Sequence, residues 1–595
     1  MDASAKAGGP AAPRARSCGA GASKDAGPRV AIGQFSTRGR KDENQDFYGA
    51  CVPADRLSVL KGVCAVIADG ISTSRFGRIA AESAVRSFLT DYYCTPESLS
   101  VKASGHCVAA AANTWLHAQT ARSHLAHDRD RGYVCTFSAL VVKARRAHLF
   151  HVGDSRIWRL HGGTCEQLTH DHRLVLSSEE SYLTRALGLS ASVEIEYREL
   201  DVRAGDVFVL STDGAHEHVA PRDIARAIDA REDLDAAARQ IAETALRNGS
   251  PDNVTLQIVR IDATGGTDAS GFLDRADTLP PPPIPRVGAE LDGFRILREL
   301  HVSHRSHIYL AADVETGARV ALKLPSLDLR DDPAYLRRFA MEDWIARRIE
   351  SPHVVAPAFT DRDRSALYVV TEHLEGQTLR QWMTDNPHPE LETVRSIAEQ
   401  IAKGLRAFHR RGMLHQDLRP ENVMIDADGT VKIIDFGCAR VDGVLEASPD
   451  SFVTEIPGTT QYAAPEYFLG MPGNERSDLF SLGVITYELI TGRLPYGARA
   501  SRAWTAKAQS RLRYVPAEAA AYPVPPWIDA ALKRAVRADP RHRHEALSEF
   551  TADLRRPNPA YARGFVPLAE RDPVRFWQAV SIVLALVVTY LVVAD

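Results

Sequence analysis

A proline-rich break near the middle of the chain limits what the sequence can fold into. Residues 263–288 lack apolar periodicity and contain four consecutive prolines at 280–283, a composition typical of a semi-rigid linker. The chain of 595 residues is also too long for one hydrophobic core. We therefore predict two domains of catalytic size, over 29–262 and 289–556, joined by this linker.

The two ends of the chain differ from its interior. Residues 1–28 are rich in Ala, Gly, Ser and Pro, which predicts a disordered leader. Residues 576–593 form an uncharged apolar run that would reach about 27 Å as a helix, close to the thickness of a bilayer core. With arginines before the run, in a juxtamembrane segment over 557–575, we expect a single transmembrane helix that anchors both domains on the cytoplasmic side; a buried terminal helix or strand pair is the alternative.

Composition excludes several classes of function. A formal net charge of -4 argues against a nucleic-acid partner. The eight cysteines form no CxxC pair, so neither a disulfide framework nor a structural zinc site is predicted.

Four separate segments of the first half place an aspartate at the end of a strand or in the following turn. They are ENQDF (Asp46), VIADG (Asp69 and Gly70), LSTDG (Asp213) and SPDNVT (Asp252). Magnesium and manganese prefer oxygen ligands, and a two-metal site needs several carboxylates. A single DG dipeptide is more often a plain turn, so the prediction of a metal site depends on all four segments together.

These segments, with VGDSRIW (152–158), LTHDH (168–172), LTRALG (183–188) and GDVFVLSTDG (205–214), resemble the type-2C metal-dependent protein phosphatase family in the same order. The resemblance implies an α+β four-layer β-sandwich with helices flanking two sheets. It also implies two Mn²⁺ or Mg²⁺ ions held by Asp46, Asp69, Asp213, Asp252 and the carbonyl of Gly70. A metal-bound water would then hydrolyse phosphoserine or phosphothreonine, and Arg40 or Lys41 would bind the substrate phosphate, unless they form a solvated basic turn.

Two departures from the phosphatase pattern stand out. After ADG the chain continues with ISTSRFG where the family has a glycine pair, and Cys135, Thr136 and Phe137 replace a Gly-Thr-Thr element. Neither removes a predicted ligand, but loss of glycine changes how the backbone can run beside the metals.

The second half carries a different ordered set of motifs. It contains VALK (Lys323), RFAME (Glu342), HQDLRPEN (Asp417, Arg419 and Asn422), IIDFG (Asp435), AAPE (Glu466) and SDLFSLG (Asp478). Phosphoryl transfer needs a lysine on the nucleotide phosphates, carboxylate and amide ligands for magnesium, and an aspartate that orients the acceptor hydroxyl. The second half therefore resembles the eukaryotic-type protein kinase family, which implies a two-lobed α+β domain that uses ATP and Mg²⁺.

The kinase resemblance assigns a role to each matched residue. Lys323 would bind the ATP phosphates and pair with Glu342, while Asn422 and Asp435 would hold magnesium. Asp417 would receive the substrate proton, and Arg419 would contact the transferred phosphate where the family has lysine. Glu372 and Leu374 would lie in the hinge that meets adenine.

The kinase half also departs from its family. His301, Ser303 and Ser306 occupy the three glycine positions of the phosphate loop, where glycine lets backbone N–H groups approach phosphate. Gln416 replaces the arginine that holds a phosphorylated activation loop in many kinases. Candidate phosphoacceptors between DFG and APE are Ser451, Thr454, Thr459 and Thr460.

The sequence thus predicts a membrane-tethered serine/threonine phosphatase and serine/threonine kinase in one chain. Its partners would be phosphorylated and unphosphorylated proteins, including its own kinase domain, and membrane lipid at the C-terminal helix. Two alternatives stay open: an active phosphatase joined to a degenerate kinase that senses nucleotide or acts as a scaffold, and a purely structural adaptor.

Overall fold

The computed structural model describes most of residues 27–558 and a few residues near the C-terminus. Gaps fall at 125–126, 129–130, 162–163, 176–180, 266–278, 304–305, 359–361, 448–459, 498–499, 501–502 and 519–521, and only 576–578 and 580–581 are described beyond 558. Contacts divide the chain into two units, Met1–Thr95 with Ser104–Gly271 and Pro96–Ala103 with Phe272–Asp595.

The first unit is built on two antiparallel five-stranded sheets. One has the order β1-β12-β11-β6-β7 and the other β10-β5-β4-β3-β2. The strands are β1 (Arg29–Thr37), β2 (Asp46–Cys51), β3 (Val63–Asp69), β4 (Phe137–Lys143), β5 (Arg146–Val152), β6 (Arg156–His161), β7 (Thr164–Gln167), β8 (Arg173–Val175), β9 (Ser181–Leu183), β10 (Glu196–Asp201), β11 (Val207–Ser211) and β12 (Val254–Ala263). The short strands β8 and β9 pair with each other as a separate hairpin.

Helices cover the outer face of each sheet. They are α1 (Asp55–Lys61), α2 (Gly77–Cys94), α3 (Val101–Arg122), α4 (Asp213–His216), α5 (Pro221–Asp229) and α6 (Leu234–Arg247). Helix α6 packs on β1 and β12, whereas α2 packs on β2 and β3. Residues of both sheets, such as Ile67 and Leu210, share one buried cluster between them. This is the four-layer sandwich that the resemblance implies.

Local sequence explains these elements. Strand β3 is almost entirely apolar and buried, as expected for a strand covered on both faces. Asp233 caps the start of helix α6, since its carboxylate accepts the N–H groups of Asp235 and Ala236. Ala238, Ile241 and other apolar side chains of this helix lie in the core.

The second unit begins with a small sheet of order β13-β14-β15-β16-β17. Its elements are β13 (Glu290–Leu291), β14 (Phe294–Val302), β15 (Ser306–Asp313), β16 (Arg319–Pro325), helix α7 (Pro333–Ala346) and β17 (Val369–Glu372). Phe294, Leu322 and Tyr368 belong to its buried core. This part forms the small lobe expected of a kinase.

A helical lobe follows. It contains β18 (Gly376–Thr378), α8 (Leu379–Asp385), α9 (Leu391–His409), β19 (Met413–Leu414), β20 (Val423–Asp426), β21 (Val431–Ile433), β22 (Arg440–Val441), α10 (Asp442–Ala447), α11 (Glu475–Thr491), α12 (Ala506–Gln509), α13 (Pro526–Ala535) and α14 (Leu547–Arg555). Short 3-10 turns lie at Pro420–Asn422 and Pro465–Leu469. Helix α11 is central and largely buried; a capping box of Asn474 and Ser477 begins it, and Gly492 in the left-handed region ends it.

The prediction of a C-terminal transmembrane helix, and with it a single-pass membrane anchor, is wrong. Among the residues that the structure describes, no helix is both long enough and apolar enough to span a bilayer. The prediction used apolar composition alone, and composition does not establish a continuous helix of the required length. Most of 576–593 lies outside the described residues.

Several other predictions also fall on residues that are not described. These are most of the leader over 1–28, the middle of the linker over 263–288, the segment 559–575, and the candidate phosphoacceptors Ser451, Thr454 and Thr459.

Candidate active sites

The four aspartates predicted to bind metal lie at strand ends of the first unit. Asp46 begins β2 and Asp69 ends β3, and the two are direct cross-strand partners. Asp213 follows β11 at the start of α4, and Asp252 precedes β12, the strand that pairs with β11. Two adjacent strands of each sheet therefore contribute one carboxylate apiece.

Burial and mutual repulsion make this cluster costly without a cation. Burial raises the pKa of Asp46 to about 6, with a contribution from the charge of Asp252. Burial and neighbouring carboxylates raise the pKa of Asp213 to about 7 and that of Asp69 well above its ordinary value. In the described part of the chain, the buried Oδ1 of Asp46 has no hydrogen-bond partner. Buried oxygen donors of like charge fit hard divalent cations.

Asp154 joins this cluster, although the sequence motifs assign it no role. It lies in the turn between β5 and β6, is largely buried, and its charge raises the pKa values of Asp69 and Asp213. Arg173 Nη1 lies 3.7 Å from its Oδ2. The VGDSRIW motif contains Asp154, but a motif within one segment does not indicate that Asp154 lies close to Asp69 and Asp213.

Lys41 contacts the cluster directly. Its Nζ lies 2.5 Å from Asp252 Oδ1 and donates to Ser72 Oγ at 2.5 Å. Arg40 is exposed. Of the two predicted phosphate-binding residues, the structure therefore places Lys41 against the carboxylates.

The backbone beside the aspartates is closely packed. A Cβ at Gly70 would lie 2.2 Å from the backbone carbon of Gly77, so a larger residue at position 70 would displace the chain. Thr136 exchanges two hydrogen bonds with Asp69: its N–H donates to the Asp69 carbonyl at 2.8 Å, and its Oγ1 accepts the Asp69 N–H at 2.9 Å. The departure at 135–137 thus still supports a predicted ligand.

A second group of potential metal ligands consists of His151, His172 and Glu196. Both ring nitrogens of His151 already have partners, Ser138 Oγ at 2.8 Å and the His170 carbonyl at 3.0 Å. His172 Nδ1 accepts the Gly153 N–H at 3.2 Å. Burial lowers the pKa of His151 to about 4, so the ring is neutral and the group forms a hydrogen-bond network between β5, β10 and the segment before β8.

In the second unit, Lys323 lies between two carboxylates. Its Nζ donates to both oxygens of Glu342, at 2.8 and 2.7 Å, and to Asp435 Oδ1 at 3.1 Å. Burial disfavours the Asp435 carboxylate, but Lys323 and the Gly437 N–H more than offset burial and lower its pKa to about 2. Strand β16, helix α7 and the DFG segment are thus joined at one point.

The catalytic-loop residues also lie together. Asn422 Nδ2 donates to the Asp417 carbonyl at 2.8 Å and to its Oδ2 at 3.2 Å, and Arg419 Nε lies 3.1 Å from Glu421 Oε2. Gln416 has φ of 63°, a conformation unfavourable for a residue with a side chain. Asp478 holds this turn by accepting the Gln416 N–H at 3.0 Å.

The predicted hinge and phosphate-loop residues contact neighbouring segments of the second unit. Glu372 ends β17, its carboxylate faces Lys432 Nζ at 2.7 Å, and its backbone N–H donates to the Ala356 carbonyl at 2.9 Å. Leu374 is half-buried two residues later. In the phosphate loop, His301 pairs with Ile308 across β14 and β15. Ser303 and Ser306 bond to each other through Ser303 N–H and the Ser306 carbonyl at 3.0 Å.

Comparison with known proteins agrees with this division. The family model described as protein phosphatase 2C matches residues 34–251, and that described as protein kinase domain matches residues 297–551. The chain therefore carries a protein phosphatase 2C domain and, C-terminal to it, a protein kinase domain.

Two curated relatives each match less than half of the chain. The serine/threonine-protein kinase PrkC of Bacillus subtilis is 28% identical over 275 residues, which cover 45% of this chain and 41% of PrkC. PknB of Mycobacterium leprae is 31% identical over 254 residues, covering 42% and 40%. This chain thus spans about two fifths of the length of these curated relatives.

Solved structures match in the same manner. The serine/threonine phosphatase PstP/Ppp of Mycobacterium tuberculosis is 24% identical with a TM-score of 0.34, over 39% of this chain and 99% of that one. The PknI kinase domain of the same organism is 24% identical with a TM-score of 0.36, over 46% and 99%.

Proposed function

We propose that this chain is a bifunctional enzyme that removes phosphate from phosphoserine or phosphothreonine with its first domain and transfers phosphate from ATP to serine or threonine with its second. The observation that carries the proposal is the presence of two complete sets of charged groups, the buried aspartate cluster and the Lys323–Glu342–Asp435 contact, within matched family domains.

In the phosphatase domain, we assign metal binding to Asp46, Asp69, Asp213, Asp252 and the Gly70 carbonyl. Two Mn²⁺ or Mg²⁺ ions bound there would supply a water of lowered pKa close to the substrate phosphorus. Lys41 attracts the substrate phosphate as a point charge, and its present contact with Asp252 holds it at the cluster.

In the kinase domain, Lys323 orients the ATP phosphates because Glu342 fixes its Nζ with two hydrogen bonds. Asp435 and Asn422 would hold magnesium, which would neutralise the phosphate charge. Asp417 accepts the proton of the substrate hydroxyl, and Arg419 supplies positive charge beside it. Glu372 and Leu374 contact adenine through the hinge backbone.

One substrate of the phosphatase is the kinase domain of the same chain. The predicted linker over 263–288 gives an effective concentration in the millimolar range where its reach allows. The boundaries 29–262 and 289–556 are the domains that we assign to the two activities.

The test uses the purified chain in two assays. Phosphate incorporation from radiolabelled ATP measures the kinase, and manganese-dependent hydrolysis of a phosphopeptide measures the phosphatase. We expect Asp417→Asn to abolish only the first activity and Asp213→Asn only the second. Phosphopeptide hydrolysis by the parent chain, with no phosphate incorporation even in the Asp213→Asn variant that lacks phosphatase activity, would refute the bifunctional assignment. Equal loss of phosphate from a phosphorylated Asp46→Ala variant and the phosphorylated parent would refute self-dephosphorylation.

A further inference from the structure

The segment 71–76, which stands where the sequence pattern has a glycine pair, links the predicted metal centre to an exposed aromatic surface. It begins directly after Gly70, and the packing of Gly70 against Gly77 brings its two ends together. Ser72 at one end accepts the Lys41 ammonium. Phe76 at the other end caps helix α2.

This segment is firmly held. Ser74 is buried, and its Oγ donates to the carbonyls of Arg131 and Gly132 and accepts the Phe76 N–H at 2.9 Å. Gln45, the neighbour of Asp46, donates its side-chain amide to the Ser74 carbonyl at 3.0 Å. A segment pinned at its middle and at both ends keeps one shape relative to the aspartate cluster.

Phe76 forms part of an aromatic platform, which we define as Phe76, Tyr133 and Trp115. Phe76 stacks on Tyr133 with ring centroids 4.4 Å apart and planes 7° from parallel, and Trp115 meets Tyr133 edge-on at 6.4 Å. Tyr133 is tied to α3, the helix that bears Trp115, by its N–H bond to Thr120 Oγ1 at 2.8 Å. Trp115 is nevertheless 45% exposed, an unusual exposure for an indole that has ring neighbours to pack on.

The platform lies within reach of a peptide bound at the metal centre. Phe76 lies four positions after Ser72, so the two Cα atoms are at most about 14 Å apart. An extended peptide advances about 3.3 Å per residue, and this distance therefore corresponds to about four residues or fewer. The Lys41 end of the segment attracts the phosphate, and the aromatic end presents an apolar surface.

We propose that the Phe76–Tyr133–Trp115 platform selects substrates by binding an aromatic or large aliphatic side chain that lies within about four residues of the phosphorylated residue. The proposal rests on the phosphatase function assigned above. Rigid, partly exposed aromatic rings offer large contact area at low entropic cost, the property that makes Trp and Tyr dominant in recognition.

The experiment compares phosphopeptides without ATP present, so that only the phosphatase acts. Phosphoserine peptides carry a single Phe at each position from four residues before to four residues after the phosphoserine, in an alanine background. p-Nitrophenyl phosphate, which has no flanking residues, reports on the metal centre alone. We expect one or two Phe positions to raise kcat/KM about 10-fold over the all-alanine peptide, mainly through KM.

Trp115→Ala should bring the favoured peptide to the level of the all-alanine peptide and leave p-nitrophenyl phosphate hydrolysis unchanged. Val52→Ser is the control, since Val52 is 55% exposed but follows the end of β2 opposite to Asp46. If the enzyme hydrolyses p-nitrophenyl phosphate but hydrolyses all phosphopeptides at equal rates, the role of the platform is refuted and the phosphatase function is not. A Trp115→Ala variant that loses self-association, with its peptide preference intact, would assign the surface to a second copy instead. No hydrolysis of any substrate would overturn the phosphatase function and the platform with it.

Discussion

Replacing Asp213 by asparagine should stabilise the metal-free protein while removing its phosphatase activity. Asp213 is buried among Asp154, Asp252 and Asp46, whose charges add to burial in raising its pKa. Asparagine has nearly the same shape and keeps an oxygen for the Gly214 N–H, which the Asp213 carboxylate accepts at 2.6 Å. The substitution therefore removes charge without opening a cavity.

The size of the effect follows from the pKa. A rise from 3.8 to about 7, at about 1.36 kcal/mol for each pH unit, amounts to about 4 kcal/mol. Because the pKa of Asp213 is raised in the folded state, its contribution to the free energy of unfolding is fully present below pH 3.8. That contribution is lost as the pH rises through about 7. At pH 8 in chelator the variant should be up to about 4 kcal/mol more stable than the parent, with the gain shrinking to near zero at pH 4. Neighbouring carboxylates share the repulsion, so effects of several such substitutions will not add.

Urea unfolding of the phosphatase domain in the whole chain, at pH 4 to 8 with chelator or Mn²⁺, measures this difference. Mn²⁺ should stabilise the parent strongly and the variant weakly. Asp201→Asn is the matched control, since the Asp201 side chain is 88% exposed, and it should change neither stability nor metal response. A variant less stable than its parent at pH 8 in chelator would refute the idea that unneutralised repulsion dominates this site.

Three further predictions concern other charged groups. Glu342→Gln should lower kinase kcat/KM for ATP by about 10-fold or more, because Lys323 loses the carboxylate that holds its ammonium group. The control Glu375→Gln, at an exposed position, should leave kcat/KM unchanged. Equal kcat/KM values for the two variants would contradict the role assigned to Glu342. Burial lowers the pKa of His151 to about 4, so its contribution to the free energy of unfolding is fully present above pH 6.5 and falls as the pH drops toward 4. In urea unfolding between pH 6.5 and 5, the parent should lose about 2 kcal/mol more of its free energy of unfolding than His151→Asn loses. Arg543→Met should destabilise the kinase domain by about 3–5 kcal/mol in thermal unfolding. The substitution leaves the buried Glu466 carboxylate without the Arg543 guanidinium that contacts it at 2.6 and 2.8 Å. A second substitution, Glu466→Gln, should restore stability, and no restoration would exclude the unpaired carboxylate as the cause.

Sequence motifs predict contacts between residues of one segment better than contacts between residues of distant segments. The catalytic loop shows the first case: Asp417 and Asn422 are five residues apart, and the structure joins them by two hydrogen bonds. Asp154 shows the second, because its approach to Asp69 and Asp213 depends on how two sheets pack. The aromatic platform combines residues from three separate segments and had no motif at all.

The wrong prediction has a different origin. The prediction of a spanning helix over 576–593 depends on apolarity, a property that buried and membrane-spanning segments share. Motifs such as HQDLRPEN combine residue type with spacing and therefore exclude alternatives, whereas composition alone does not.

Asp46 and Asp69 face each other across β2 and β3, a position where most antiparallel sheets carry attracting or neutral pairs. Selection for a more stable β2–β3 pair would favour replacing Asp46 or Asp69. Each such replacement would remove a ligand that we assign to the metal ions. The amount of folded phosphatase in a cell should then follow the supply of divalent cations, and metal starvation should lower the abundance of the enzyme as well as its turnover.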